Sequence, residues 1–411
     1  MTCDILIRNI KGLVQVRPEA SAALRGAAMA HLPVLENAWL AITQGIISGF
    51  GNMASFPKVS AKHEIDATGR FVFPSFVDSH THLVFAASRE EEFVMKIKGK
   101  SYQEIAANGG GILNSARRLQ QTSEQQLFDR SMERVEEIIR TGTGAVEIKS
   151  GYGLTLKDEI KMLRVARRIG EESILTVKTT FLGAHAVPSG ISKDAYVKQV
   201  ITEMIPAIAS EELADYVDVF CEDGFFSPRD TEAILEAGLK HGMKGRVHAN
   251  QLSRSGGVQA GVNAGAVSVD HLENIGEEEI ETLLKGNTIP TVLPGAAFFL
   301  GLPVTSARRL IDAGLPLAIA SDFNPGSAPS GNMPLMVSLA CIAMKLTPEE
   351  AFNATTINTA AALEILASHG SITIGKSANI FITSPMTSIA FMPYAFGTNM
   401  IDTIILKGKL C

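Results

Sequence analysis

The sequence predicts an α/β fold, a (β/α)8 TIM-like barrel carrying a small β-sandwich domain built from both chain termini. Three observations predict it. Between about residue 72 and residue 365, eight apolar strand-like segments alternate with helical patterns, the sequence form of a barrel in which each strand is followed by a helix. Many of those segments end in His, Asp, Glu or Lys, and barrel chemistry collects at the C-terminal ends of the strands; a doubly wound open sheet shares the alternation without that placing of polar residues. The two ends of the chain are instead short apolar runs punctuated by Gly, and terminal strands without partners of their own must pair with something.

Taken in order, residues 1–71 form the first part of the sandwich. DILIRNIKGLVQV and LAITQGIISGFG read as strands, the second holding the Gly-containing turn of a hairpin,. The Ala-rich stretch 21–38 between them carries no pattern that assigns it a conformation. Residues 72–365 form the barrel, with strands in FVFPSFVDSHTH, GAVEIKS, TVKTTFLGAH, YVDVFCED, GRVHAN, AVSVDHLE, TIPTVLPG and LAIASD. The helices between them announce their starts. Ser123 to Gln126 is a capping-box sequence before Leu127, Met132, Val135, Ile138 and Ile139, and Thr155 to Asp158 repeats it before Ile160, Leu163 and Ile169,. Ser227 and Pro228 place an N-cap ahead of Pro at the first helical position,. Residues 366–411, with GSITIGKSANIFIT and MIDTIILKGKL, return to the sandwich.

Composition narrows the class of function. Hydrophobic residues make up 46% and charged ones 19%, so a sizeable core forms and disorder is excluded. No apolar run reaches the roughly 18 to 20 residues of a spanning helix. The start MTCDILIRNI has an acid where a signal peptide is basic, which leads to the expectation of a cytoplasmic protein,. Cys3, Cys221, Cys341 and Cys411 lack CxxC spacing, so neither a disulfide framework nor a thiolate metal site is implied,. A net charge of -6 argues against nucleic acid and leaves a small molecule as the expected partner,.

The chemistry lies in the histidines. His80 and His82 are separated by one residue, and on a strand that spacing sends both imidazoles, with Phe76 and Asp78, to one face,. Single candidates stand at other strand ends: His185, His248, His271 and Asp322. A lone strand-end His is usually a hydrogen-bonded structural residue. Five of the nine histidines together with an Asp at the mouth of one barrel point instead to a metal site, and imidazole with carboxylate suits zinc or iron. Gly370 to Ser377 satisfies the P-loop expression, but a helical pattern precedes it and a strand follows, the reverse of the order that puts helix amides on a phosphate,. No HExxH or GxSxG motif occurs,.

The HTH after the first barrel strand, the single His residues at later strand ends and the final strand-end Asp resemble the amidohydrolase superfamily, whose flanking β-sandwich is made from both termini. SHTHLVFAASREEEF, NGGGIL, EIKSGYGL, TFLGAHAVP, HANQLS, VDHLEN, VLPGAAFFLG and ASDFNPGS follow the order of the superfamily members that open a cyclic amide in histidine degradation. The resemblance implies that His80, His82, His248 and Asp322 hold one divalent or trivalent metal, zinc or iron. Lys149 and Lys178 are conceivable ligands for a second metal, but their motif context does not match and one ion is expected. It further implies substrate contacts at Arg89, Tyr152, His185, Gln251, Asn324, Gly326 and Ser327, with Tyr102 a weaker candidate. His271 is expected to stabilise the oxyanion, and Asp322 or His271 to carry the proton. For Arg89 the plain alternative is a surface salt bridge with Glu90 or Glu91; a guanidinium that grips a carboxylate bidentately is what a propionate-bearing substrate requires. Asn250 and Gln251 depart from the pattern, since many members carry a carboxylate there. Ser75, where Gly is common, is read as a local backbone matter. The expected function is metal-dependent hydrolysis of a cyclic amide by a homodimer, with a deaminase of another heterocycle or a non-catalytic scaffold as alternatives.

Overall fold

The computed structural model describes residues 2–19, 22–57, 60–100, 104 and 110–411. The N-terminal strands are β1 (Thr2–Val14), β2 (Val34–Thr43), β3 (Ile46–Asn52), β4 (Ser60–Asp66) and β5 (Phe71–Pro74). The C-terminal ones are β14 (Ile380–Thr383), β15 (Ile401–Leu406) and β16 (Lys409–Leu410). They hydrogen-bond into one mixed sheet in the order β16-β15-β14-β5-β1-β2-β3, with β4 also paired to β1. The join between the two ends is β14 against β5, in the register Phe381 to Phe73. Alternate residues bury Ile5, Ile7, Leu40, Ile42, Ile380, Ile382 and Ile405 in a core separate from that of the barrel, and this arrangement fits the expected sandwich.

The barrel strands are β6 (Phe76–Asp78), β7 (Thr143–Lys149), β8 (Thr176–Ala184), β9 (Tyr216–Cys221), β10 (Lys244–Ala249), β11 (Ser268–His271), β12 (Ile289–Val292) and β13 (Ala318–Ile319). All neighbours are parallel and in sequence order, so each of the eight expected segments supplies a strand. The first differs in extent. Phe71–Pro74 belongs to the terminal sheet and only Phe76–Asp78 to the barrel, because at Ser75 the backbone changes partner: Ser75 N–H donates to Asn379 O and Phe76 N–H to Gly142 O. Phe73 stacks on Phe381 at 5.2 Å and Phe76 lies 5.1 Å from the same ring. This seam of buried aromatics couples the two sheets, each ring contributing about 1.5 to 3 kcal/mol of burial.

The first and last barrel strands meet through Asp322 N–H to His80 O at 3.0 Å and His82 N–H to Phe323 O at 2.9 Å. Asp78 strengthens the join by accepting from Ser321 N and Oγ. The expected helix starts are present: Ser123 and Gln126 form a reciprocal capping box, Thr155 accepts from Asp158 N, and Ser227 caps a helix with Pro228 at its first position. Among the described residues no helix is long and apolar enough to cross a membrane.

The Ala-rich segment contains a short 3-10 turn, Gly26–Ala30. It is held at the end of the barrel away from the strand-end histidines, since Gly26 N–H donates to Leu315 O just before β13. Asn358 fixes it by accepting from Leu24 N at 2.8 Å while donating to Leu24 O and Leu317 O. Asn358→Ala strands the buried Leu317 carbonyl and the part-buried Leu24 groups and should cost about 1 to 3 kcal/mol,, read as a lowered denaturation midpoint with unchanged slope. A loss below about 0.5 kcal/mol would show that the clamp contributes nothing.

Candidate metal centre and substrate pocket

His80 and His82 lie just past β6, and they share a face because the chain stays extended through the bridge of Thr81 to Phe323. His248 is on β10 and His271 ends β11. At three of the strand ends the backbone enters the left-handed region at a residue with a side chain: Asn250 at φ 57°, His271 at 86° followed by Leu272 at 67°, and Asp322 at 58°. Such conformations cost of order 1 to 3 kcal/mol each and persist where the surroundings over-determine them. Here they turn the chain sharply at the barrel mouth.

The imidazoles converge. His248 Nε2 and His82 Nε2 are 3.3 Å apart, and Asp322 Oδ1 is 3.6 Å from both His80 Nε2 and His82 Nε2. Burial, followed by Lys149 for His80 and by His185 for His82, holds both rings well below the ordinary imidazole range, and burial also lowers His248. These rings are therefore neutral, and for His80 and His248 the second nitrogen shows which tautomer each adopts. His80 Nδ1 donates to Asp270 Oδ2 at 2.7 Å and His248 Nδ1 to Asp218 at 3.1 Å, which leaves both Nε2 atoms as bare lone pairs. His80 Nε2 is buried without a partner. Inward-facing lone pairs beside a carboxylate oxygen repel one another unless a cation lies between them. His80, His82 and His248, and likewise His80, His271 and Asp322, bring their donor atoms within 4.8 Å of one another, so the residues fit a zinc or iron ion.

Beneath the histidines lies a buried ion network. Lys149 Nζ touches Glu147 Oε1 at 2.7 Å and Asp218 Oδ2 at 2.8 Å, while Arg246 lies 3.6 Å from Asp270 and 3.7 Å from Glu147. Burial opposes the charge on Lys149, but Asp218 and Glu147 more than offset it and hold the ammonium above its ordinary value. Burial likewise raises the Asp322 carboxyl to about 6 against the pull of His271. On His271 burial is outweighed by Glu273, so that ring is held above its ordinary value. Lys149 is thus an anchor in this network, and Lys178 pairs with Asp215 at 3.1 Å.

A pocket of about 590 Å³ opens over the cluster, lined among others by His82, Arg89, Tyr152, His185, His248, Gln251, His271, Asp322, Asn324, Gly326 and Ser327. Every substrate candidate except Tyr102, which lies outside the described residues, is therefore on one wall or another. Arg89 pairs with Glu92, not with Glu90 or Glu91: Nε donates at 2.9 Å and Nη2 at 2.5 Å to the same oxygen. The helix Glu90–Ile97 begins immediately after Arg89 and turns its third residue back against the guanidinium. Gly326 makes room for it, since a Cβ there would collide with Arg89 Nη1. Tyr152 rides on a loop whose Gly151, Gly153 and Leu154 amides all donate to buried Glu159. His185 stacks on His82 at 5.2 Å with its Nδ1 on Gly151 O. Asn324 donates to Asp322 O and to Ser327 Oγ, and Ser327 donates to Asp322 Oδ2 at 3.1 Å, so these two also steady the carboxylate.

Asp218, Asp270, Glu92, Glu159 and Glu273 escaped sequence reasoning. The available signal was an acid inside an apolar strand, as in YVDVF and VSVDH, where only a buried partner makes the charge tolerable.

Residues 71–411 match the sequence model of the amidohydrolase family, and the chain belongs to that family. Along its whole length it is similar to proteins named imidazolonepropionase: 53% identical to that of Christiangramia forsetii over 99% of both chains, and 52% identical to that of Flavobacterium johnsoniae over 98% of this chain and 99% of the other. The relative from Thermoanaerobacter pseudethanolicus is 39% identical over 100% of this chain and 98% of its own. Among solved structures, the fold is shared with an adenosine deaminase from Xanthomonas campestris with bound zinc (TM-score 0.71, 17% identity, 100% and 93% of the two chains). It is also shared with the guanine deaminase of E. coli (TM-score 0.73, 14% identity, 99% and 98%).

His82→Ala should leave the purified protein without bound metal while its melting profile is retained, because the ring packs at the mouth and not within the barrel layers. Asp270→Asn removes the charge that orients His80 and should weaken metal binding by about 10- to 100-fold in chelator competition. Unchanged metal affinity in both variants would overturn the ligand assignment.

Proposed function

We propose that the chain hydrolyses the cyclic amide of 4-imidazolone-5-propanoate to N-formimidoyl-L-glutamate in histidine degradation, with one zinc or iron ion held by His80, His82, His248 and Asp322. The observation that carries this reading is a single pocket with a lone-pair cluster on one wall and the Arg89 guanidinium on another, matching a ring carbonyl and a propionate on one small molecule. When bound, the ion supplies Lewis acidity toward a carbonyl and acidifies water at neutral pH.

The chain's own residues do the rest. Arg89, kept in orientation by Glu92, binds the propionate, a charged contact of about 1.5 to 3 kcal/mol. Tyr152, His185 and Gln251 flank the ring, and Asn324, Gly326 and Ser327 close the remaining wall beside Asp322. His271 donates to the carbonyl oxygen as negative charge develops there. Water adds across the ring C–N bond, its oxygen to the carbonyl carbon and a proton to the leaving nitrogen, carried by Asp322 Oδ or by His271. Likeness to the superfamily supports a cytoplasmic homodimer acting on a small molecule.

The test is metal analysis together with loss of imidazolone absorbance in the ultraviolet. One zinc or iron per chain with ring opening and no ammonia is the expected result; ammonia release from another heterocycle without ring opening would establish a deaminase instead. His271→Ala should keep its metal and turn over about 10² to 10³ times more slowly, and loss of its metal would put His271 among the ligands. Arg89→Met should reduce kcat/KM for the intact substrate by roughly 10- to 150-fold and change little for an imidazolone lacking the carboxylate. Equal losses on both compounds would move the propionate anchor elsewhere.

A further inference from the structure

The HLE sequence at the end of β11 contains a carboxylate that the chemistry above does not use. Glu273 has a side chain with no solvent exposure, its Oε2 has no hydrogen-bond partner, and its Oε1 meets His271 Nδ1 at 3.5 Å. Desolvating a carboxylate with so few donors costs several kcal/mol unless a partner repays it. The backbone is bent to bring it there. His271 and Leu272 are consecutive left-handed residues with side chains, and the reversal they make is pinned by Leu272 N–H to Ala249 O, Asn274 N–H to Asn250 O and Thr305 Oγ1 to His271 O. Two residues past the ring, Glu273 thereby returns against its far edge. Among the described residues, Asp322 is the sole carboxylate lining the pocket; Glu273 stands outside it, against His271 Nδ1.

We propose that Glu273 is a positioning residue for the hydrolysis: it accepts the Nδ1–H of His271 and fixes the tilt of the ring, so that in the doubly protonated form, the one form that donates from both nitrogens, Nε2–H is directed at the reacting carbonyl oxygen. The division of labour is that of a buried acid behind a catalytic imidazole. The 3.5 Å separation is long for such a bond, and bonds of this kind tighten when substrate fills the site. Glu273 does not line the pocket, and its side-chain contact is with the His271 ring, through which the proposed positioning operates. The inference rests on the role given to His271 under the proposed function.

Glu273→Gln keeps size and shape while removing the charged acceptor. The expected result is a kcat lower by about 10- to 100-fold, KM within about threefold, metal content unchanged and a melting temperature no lower than that of the parent. In a His271→Ala background the same substitution should alter kcat by less than about twofold, because the group through which it acts is gone. An unchanged kcat, a full additional loss in the double variant, or loss of metal would each overturn the proposal. An activity-independent readout separates it from the hydrolase reading. In zinc-loaded protein labelled with [15N]histidine, the ring signals absent from His271→Ala should shift in Glu273→Gln while those of the other histidines hold. If they shift although the parent consumes no imidazolone, the hydrolase reading fails and the pairing stands; if they do not shift, the pairing is wrong whatever the substrate.

Discussion

The site depends on one buried ion lattice. Lys149 and Arg246, both inside the barrel and fully shielded from water, are held by Glu147, Asp218 and Asp270. Two of those carboxylates continue upward to His248 and His80. Removing one member of such a set leaves an uncompensated charge at low dielectric, at a cost of about 3 to 5 kcal/mol. The lattice therefore has one arrangement available to it, and that arrangement dictates which nitrogen of each imidazole faces the pocket. What reads as a cluster of histidines is the upper layer of a structure whose lower layer sets their protonation.

The same economy governs the mouth. Asp78 and Ser321 join the first strand to the last, and immediately above that join Asp322 N–H donates to His80 O, so closing the barrel and bringing a proposed ligand pair together are one event. The loop carrying Tyr152 is gathered by Glu159, and the loop after His248 by Glu222, which accepts from Leu252 N and Ser253 N. In each case a buried carboxylate that never reaches the pocket satisfies loop amides that would otherwise need water. Rigid loops over a rigid lattice favour a preorganised site, in which donors need no reorganisation as charge develops.

Arg89 illustrates how the local and the tertiary divide the work. It stands at the start of a helix with three acids in the first turn, and helix geometry decides among them: the third, three residues along, is on the face that folds back, while Glu90 turns to Ser88. Its guanidinium reaches the pocket only because Gly326, far away in sequence, offers no side chain there. The loop geometry that brings DFNPGS against SREEE is a property of the closed barrel and of nothing local.

Much of the fold is legible in the sequence. Alternation of apolar segments with capped helices gave the eight strands in order, because periodicity and caps are local and each segment declares itself. The strand-end histidines and Asp322 were legible for the same reason, since a polar residue ending an apolar run is visible in place. The division of FVFPSFVDSHTH between two sheets was not, because a strand's partner is chosen by what lies beside it; Phe73 meets Phe381 and Phe76 meets Gly142 only once both termini have returned. Nor were the acids that orient the imidazoles. Asp218 and Asp270 each sit in an unremarkable strand, and their meaning arises from other strands: Asp218 meets His248 on the neighbouring β10, and Asp270 reaches across the barrel to His80. The fold class and the residue types that meet at the barrel mouth are written in local pattern; which nitrogen, which carboxylate and which loop faces which is set by the closed barrel, because those contacts join residues tens to hundreds of positions apart, within and across the ring of strands.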